Sequence, residues 1–112
     1  MKRKILLSGG AVLLFFSCHR NLDNVDCTTV NATYTNDILP LVKANCVSCH
    51  FANNTTGAPG DYNQYSYLKE VAENGKLEIK TIGQASMPPS GKLSMDDRKK
   101  IKCWIKNGAP NN

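Results

Sequence analysis

Apolar positions first gather between Ile5 and Phe16, diluted by Ser8, Gly9 and Gly10 and preceded by Lys2, Arg3 and Lys4. Basic lead followed by apolar run is the order of a secretory signal peptide. A membrane-spanning helix needs about 20 apolar residues, so this run is too short to be one. Residues 19–33 are polar and aperiodic and read as a tether. Helical spacing begins beyond it. Ile38, Leu41, Val42, Asn45, Cys46 and Cys49 recur along one helical face. Asp37 is the expected cap, which puts Pro40 at the third position, where its missing N–H needs no partner. Residues 51–60 read as a loop punctuated by Gly57, Pro59 and Gly60. Tyr65, Leu68, Val71 and Ala72 form a second stripe that stops at Asn74-Gly75. Leu77 to Ile82 fits either strand alternation or a helical turn, and a short helix or extended lead is expected there. Ser94, with Asp97 three residues on, opens a last helix whose buried face is Ile101, Trp104 and Ile105 and whose stop is Gly108.

The first helical stripe runs into Cys46-Val47-Ser48-Cys49-His50. Cys-x-x-Cys-His is the attachment signature of a c-type haem. On a helical turn two cysteines three apart face the same way, so both sulfurs can form thioethers along one haem edge while His50 supplies the proximal iron ligand. Zinc sites and thioredoxin-like dithiols also use Cys-x-x-Cys. The zinc reading needs a second ligand pair, whereas Cys18, Cys27 and Cys103 are scattered. The thioredoxin reading needs a strand leading into the motif within an α/β chain, which the pattern does not provide.

Ser86-Met87-Pro88-Pro89-Ser90-Gly91 sets a methionine in a stiff turn. Its thioether is a soft ligand, and a Met/His pair raises the reduction potential of haem iron. Met87 is therefore the candidate distal ligand; the alternative is a core filler. Met95 is the rival sulfur, in the first turn of the last helix beside Asp96 and Asp97. The one other histidine, His19, falls in the tether.

Ser17-Cys18 after the apolar run resembles a bacterial lipobox, although Phe15 and Phe16 depart from its strictest form. That resemblance implies removal of residues 1–17, lipid on Cys18, and a protein held outside the cytoplasm, in the periplasm or on the envelope side of a membrane. An ordinary cleaved signal is the alternative. Removing residues 1–17 takes three of the 14 basic residues and none of the 9 acidic ones, so the formal charge falls from +5 to +2. The basicity is mostly the signal's, and nucleic-acid binding, which needs a dense basic patch, gains no support. Arg98, Lys99, Lys100, Lys102 and Lys106 read as a solvated helix face. With Cys18 lipidated and Cys46 and Cys49 on haem, Cys27 and Cys103 remain as one candidate disulfide in an oxidising compartment.

The order of these motifs over roughly residues 34–110 resembles class I cytochrome c domains, and more narrowly small bacterial lipoprotein-type monohaem cytochromes with Asp37-Ile38-Leu39-Pro40 before the haem motif and Asn107-Gly108-Ala109 after Trp104-Ile105. The resemblance implies an all-α fold over residues 34–112, three to five short helices wrapped around one covalent haem, behind a signal at 1–17 and a tether at 18–33. It implies that the first and last helices cross, and that a proline carbonyl after the motif, for which Pro59 is the nearest match, accepts the Nδ1–H of His50. Trp104 is expected as a buried aromatic at the helix crossing, with donation to a haem propionate as the alternative. Tyr62, Tyr65 and Tyr67 are candidates to line the pocket. Asn31-Ala32-Thr33 and Asn54-Thr55-Thr56 match the glycosylation pattern by chance. The function expected is single-electron transfer between redox proteins at a membrane, with His50 and Met87 closing both axial positions. It is not an enzyme on this reading and takes no small-molecule substrate. The alternatives are a gas- or peroxide-reactive haem sensor or enzyme with a labile sixth ligand, and a metal-binding or structural lipoprotein without haem.

Overall fold

Tyr34 and Trp104, 70 positions apart, decide how this chain closes. Trp104 exposes no surface, and Tyr34 stacks on it with ring centroids 6.1 Å apart. Tyr65 meets Tyr34 edge-on at 5.0 Å. Around them Ile38, Val42, Leu68, Ile101 and Leu77 complete one core. In the computed structural model, which describes residues 22–112, that core is enclosed by short helices, and no strand occurs among the described residues. The fold is all-α. The apolar run 5–16, Cys18 and His19 lie outside the described residues, and no helix among those described is long and apolar enough to cross a membrane.

The first helical segment starts earlier than Asp37. Thr33 is its cap: the hydroxyl accepts from Asn36 N (3.3 Å), and the Asp37 carboxylate reaches back to Thr33 N (3.0 Å). This is a reciprocal cap across a widened turn. Tyr34–Ile38 is a π-turn in which Ile38 N bonds Thr33 O (3.1 Å) and Leu39 N bonds Tyr34 O. The wider ring suits a segment about to meet Pro40, which has no N–H to give. Helix α1, Leu39–Asn45, follows directly and buries Leu41 and Val42.

Helix α2, Tyr65–Glu73, buries Leu68, Val71 and Ala72 and stops at Asn74-Gly75, where Gly75 takes φ 80°. The ambiguous stretch after it is helical: α3 is Lys76–Glu78 and continues as a π-turn, Ile79–Gly83, inside which the buried Thr81 hydroxyl donates to Leu77 O (2.7 Å). Helix α4, Met95–Lys106, is capped by Ser94, which accepts from Asp97 N (3.1 Å). Its buried residues are Ile101, Cys103 and Trp104, while Ile105 is half-buried.

Helix α4 packs against the Tyr34–Ile38 turn on one side and against α3 and its continuation on the other. Its basic face is accordingly less solvated than its sequence suggests. Lys100 pairs with Asp37 (3.1 Å) and Lys102 with Glu78 (3.3 Å), because the two elements beneath α4 each present a carboxylate. The candidate disulfide is present: Cys27 is bonded to Cys103, and Ala32 is buried in the core, so from Cys27 onward the tether lies against the domain. A cross-link over 76 positions removes much of the unfolded chain's freedom. Replacing both Cys27 and Cys103 by serine is expected to lower unfolding free energy by about 2–5 kcal/mol, read by chemical denaturation.

The Asp37 carboxyl is held below its ordinary 3.8, first by the Thr33 backbone N–H and then by Lys100. A lowered folded-state pKa adds stability that is present above the unfolded value and lost as pH falls through the folded one. Thermal stability measured from pH 6 down to pH 2 is therefore expected to fall less steeply in Asp37→Asn than in the parent chain.

Candidate functional site

The motif follows directly on the C-terminal end of α1, with Cys46 as its cap. Cys46 N still bonds Val42 O (2.8 Å), and the chain then turns once more, with Cys49 N (3.1 Å) and His50 N (2.9 Å) both bonding Cys46 O. One helical turn thus carries both sulfurs, and neither cysteine is in a disulfide. The 51–60 loop is folded back under this turn by its own polar side chains. Asn54 Nδ2 donates to Phe51 O (2.8 Å) and Ala58 O (3.0 Å), and the Thr56 hydroxyl donates to Cys49 O (2.9 Å). Asn54-Thr55-Thr56, a glycosylation pattern in the sequence, here serves as loop architecture.

That folding delivers Pro59 to the histidine. The Pro59 carbonyl lies 2.7 Å from His50 Nδ1. A carbonyl can only accept, so the proton sits on Nδ1 and the Nε2 lone pair is left for another partner. The imidazole also stacks on Tyr62 at 4.3 Å between centroids, and Tyr62 N donates to His50 O (3.0 Å).

Met87 arrives from the opposite part of the chain. Its N–H donates to Lys80 O (3.1 Å), tying it to the turn after α3, and Pro88 O accepts from Gly91 N (3.2 Å) to close the following turn. Cys46, Cys49, His50, Pro59, Met87 and Pro88 all line one cavity of about 640 Å³. That is within the roughly 300–1,000 Å³ of cofactor and ligand pockets. Val71 from α2 and Leu77 from α3 give it apolar walls. Met95 is not among the lining residues.

The tyrosines separate. Tyr62 and Tyr67 line the cavity; Tyr65 instead donates to Ala109 O (2.8 Å) inside the core. Burial, reinforced by Tyr67 and Cys46, pushes the Tyr62 phenol up to about 12, so it stays a neutral hydroxyl. Trp104 donates its indole N–H to Pro110 O (2.9 Å) and does not line the cavity, which fits the buried-aromatic role and not donation to a propionate. Sequence reasoning missed Lys76 and Lys80, the charged side chains at the cavity wall, because the stretch that carries them was undecided between strand and helix and its faces could not be assigned. Gly60 was read only as loop punctuation; it holds φ 76°, and a Cβ there would collide with the edge of the Tyr67 ring.

The zinc and dithiol alternatives lack what each of them needs here. Among the described residues no group of three or more His, Cys, Asp or Glu side chains is placed to hold a metal ion, and Cys27 and Cys103 are committed to each other. A nucleophilic dithiol needs a depressed thiol pKa, whereas burial pushes Cys46 up to about 11. No protein-family model, curated protein or solved structure matches the chain.

Gly60→Ala is expected to destabilise the domain by about 2–4 kcal/mol, from backbone strain plus overpacking against Tyr67. Gly57→Ala, also at positive φ but with open space around it, is expected to cost only about 1–2 kcal/mol. Chemical denaturation of the two variants checks the difference.

Proposed function

We propose that the chain is a monohaem c-type cytochrome of the class I kind that carries single electrons between redox proteins at a membrane. The observation that carries this reading is the convergence on one cavity of Cys46, Cys49, a His50 whose Nε2 lone pair is unprotonated and, with 36 residues between it and His50, Met87. Each thiol S–H would add across one vinyl group, the sulfur to carbon and the hydrogen to its neighbour, so attachment releases nothing. His50 Nε2 and the Met87 sulfur would take the two axial positions. When bound, the haem supplies a one-electron iron couple at a potential raised by its Met/His ligation.

The protein's own residues do the remaining work. Pro59 fixes the imidazole tautomer and raises its basicity through the Nδ1–H bond. The bond from Met87 N to Lys80 O holds the thioether's backbone against a helical turn, which restrains the sulfur as the charge on iron changes. With His50 and Met87 both holding the iron, the chain would leave it no open position for a substrate, which favours electron carriage over catalysis. A lipid on Cys18 would keep the domain at a membrane surface outside the cytoplasm and reduce its search for partners to two dimensions.

The test is a reduced-minus-oxidised spectrum of the full chain exported in a host that attaches haem, followed by a carbon monoxide challenge. The native protein is expected to give a low-spin c-type spectrum indifferent to carbon monoxide. Met87→Ala is expected to keep covalent haem, lose much of its reduction potential and bind carbon monoxide. Carbon monoxide binding by the native protein would favour the sensor or enzyme reading, and unchanged behaviour of Met87→Ala would remove Met87 from the ligand set.

A further inference from the structure

A hydrogen bond at Nδ1 fixes which nitrogen of His50 carries the proton, but it does not by itself fix the plane of the ring. The final torsion of a histidine is broad, so a ring held at one edge can rock. In this chain a second restraint lies against the ring face. Tyr62 stacks on the imidazole at 4.3 Å with 24° between planes.

Tyr62 is itself held in the same frame as His50. Its N–H donates to His50 O (3.0 Å), so the two residues share one backbone link across the loop. Behind it stands Tyr67, 5.7 Å away between centroids, on α2 next to the fully buried Leu68. Tyr67 can stand there because position 60 has no Cβ. The stack is thus braced from the core helix through Tyr67 and Tyr62 to the imidazole.

We propose that Tyr62 is a positioning residue that sets the plane of the His50 imidazole, and with it the orientation in which Nε2 meets iron. This rests on the reading of His50 as an axial haem ligand. Ring stacking carries the effect, and the phenol hydroxyl does not. Tyr62→Phe should therefore behave as the parent chain, while Tyr62→Leu and Tyr62→Met remove the flat face and leave the Pro59 bond in place.

The experiment is low-temperature electron paramagnetic resonance of the ferric holoprotein, whose g values report how the axial imidazole is oriented on the iron. The parent and Tyr62→Phe are expected to share one narrow low-spin signal. Tyr62→Leu and Tyr62→Met are expected to shift the g values and spread them over more than one population, with covalent haem and helical circular dichroism retained. Signals in Leu and Met variants that match the parent, or a Phe variant as disturbed as they are, would overturn the proposal while leaving the cytochrome reading intact. Should both aliphatic variants fail to fold, proton cross-relaxation between the Tyr62 and His50 rings in the reduced parent decides it: its presence supports the stack and its absence overturns it. A parent protein without covalent haem removes the cytochrome reading first and this proposal with it.

Discussion

Burial of Trp104 joins the two ends of the domain, and the rest of the structure hangs from that junction. Tyr34 stacks on the indole near the start, Pro110 O accepts its N–H near the end, and its neighbour Cys103 is bonded to Cys27. Asn112 adds two more links, its side-chain oxygen accepting from Tyr34 N and its carbonyl from Thr35 N, both at 2.9 Å. Those bonds satisfy N–H groups in the first turn of a helix, which have no partners within it. Loss of a fully buried Trp commonly costs about 3–5 kcal/mol, so this junction is a large share of what a domain so small can hold.

Because the ends are locked together, the middle of the chain is free to do something other than fill the core. Residues from Cys46 to Ser90 supply the whole cavity lining apart from Asn45. The segment is not loose. The loop after the motif is braced internally by Asn54 and bonded to the motif through Thr56, and the Met87 turn is bonded to the π-turn that follows α3. Two independently stiffened arms, one bearing His50 and one bearing Met87, thus face a shared space whose walls include Val71 and Leu77 from the core helices. A large apolar cofactor placed there would complete the interior that a chain of this size cannot build from side chains alone.

Features governed by neighbours in sequence were legible in advance. The Ser94 cap with Asp97, the Asn74-Gly75 stop, the looped stretch before Gly60 and the motif at the end of a helix all follow from local chemistry, and the structure has each of them. The Pro59 contact was expected only through the family resemblance, which implied a proline carbonyl on His50 Nδ1; the structure places Pro59 O there. What resisted was set by partners far away. Nothing in the local sequence says that Tyr65 would reach Ala109 while Tyr62 and Tyr67 turn to the cavity, or that Lys100 and Lys102 would find carboxylates under α4. The early start of the first helix was hidden because Pro40 drew attention to Asp37 as the cap, while a π-turn moved the cap back to Thr33. Residues 19–33 read as a polar tether whose end the candidate Cys27–Cys103 disulfide would hold; that bond is formed, and what the sequence did not show is that Ala32 would be buried in the core.

The central claim is the proposal that the Cys46 and Cys49 thiols, free of any disulfide and lining the same cavity as His50 and Met87, would attach one haem. It is tested most directly by mass spectrometry of the proteolytic peptide containing Cys46 to His50, taken from protein exported in a host able to attach haem. The account predicts a peptide heavier by one intact haem, with neither thiol open to alkylation. A peptide of unmodified mass in which both thiols alkylate would contradict it.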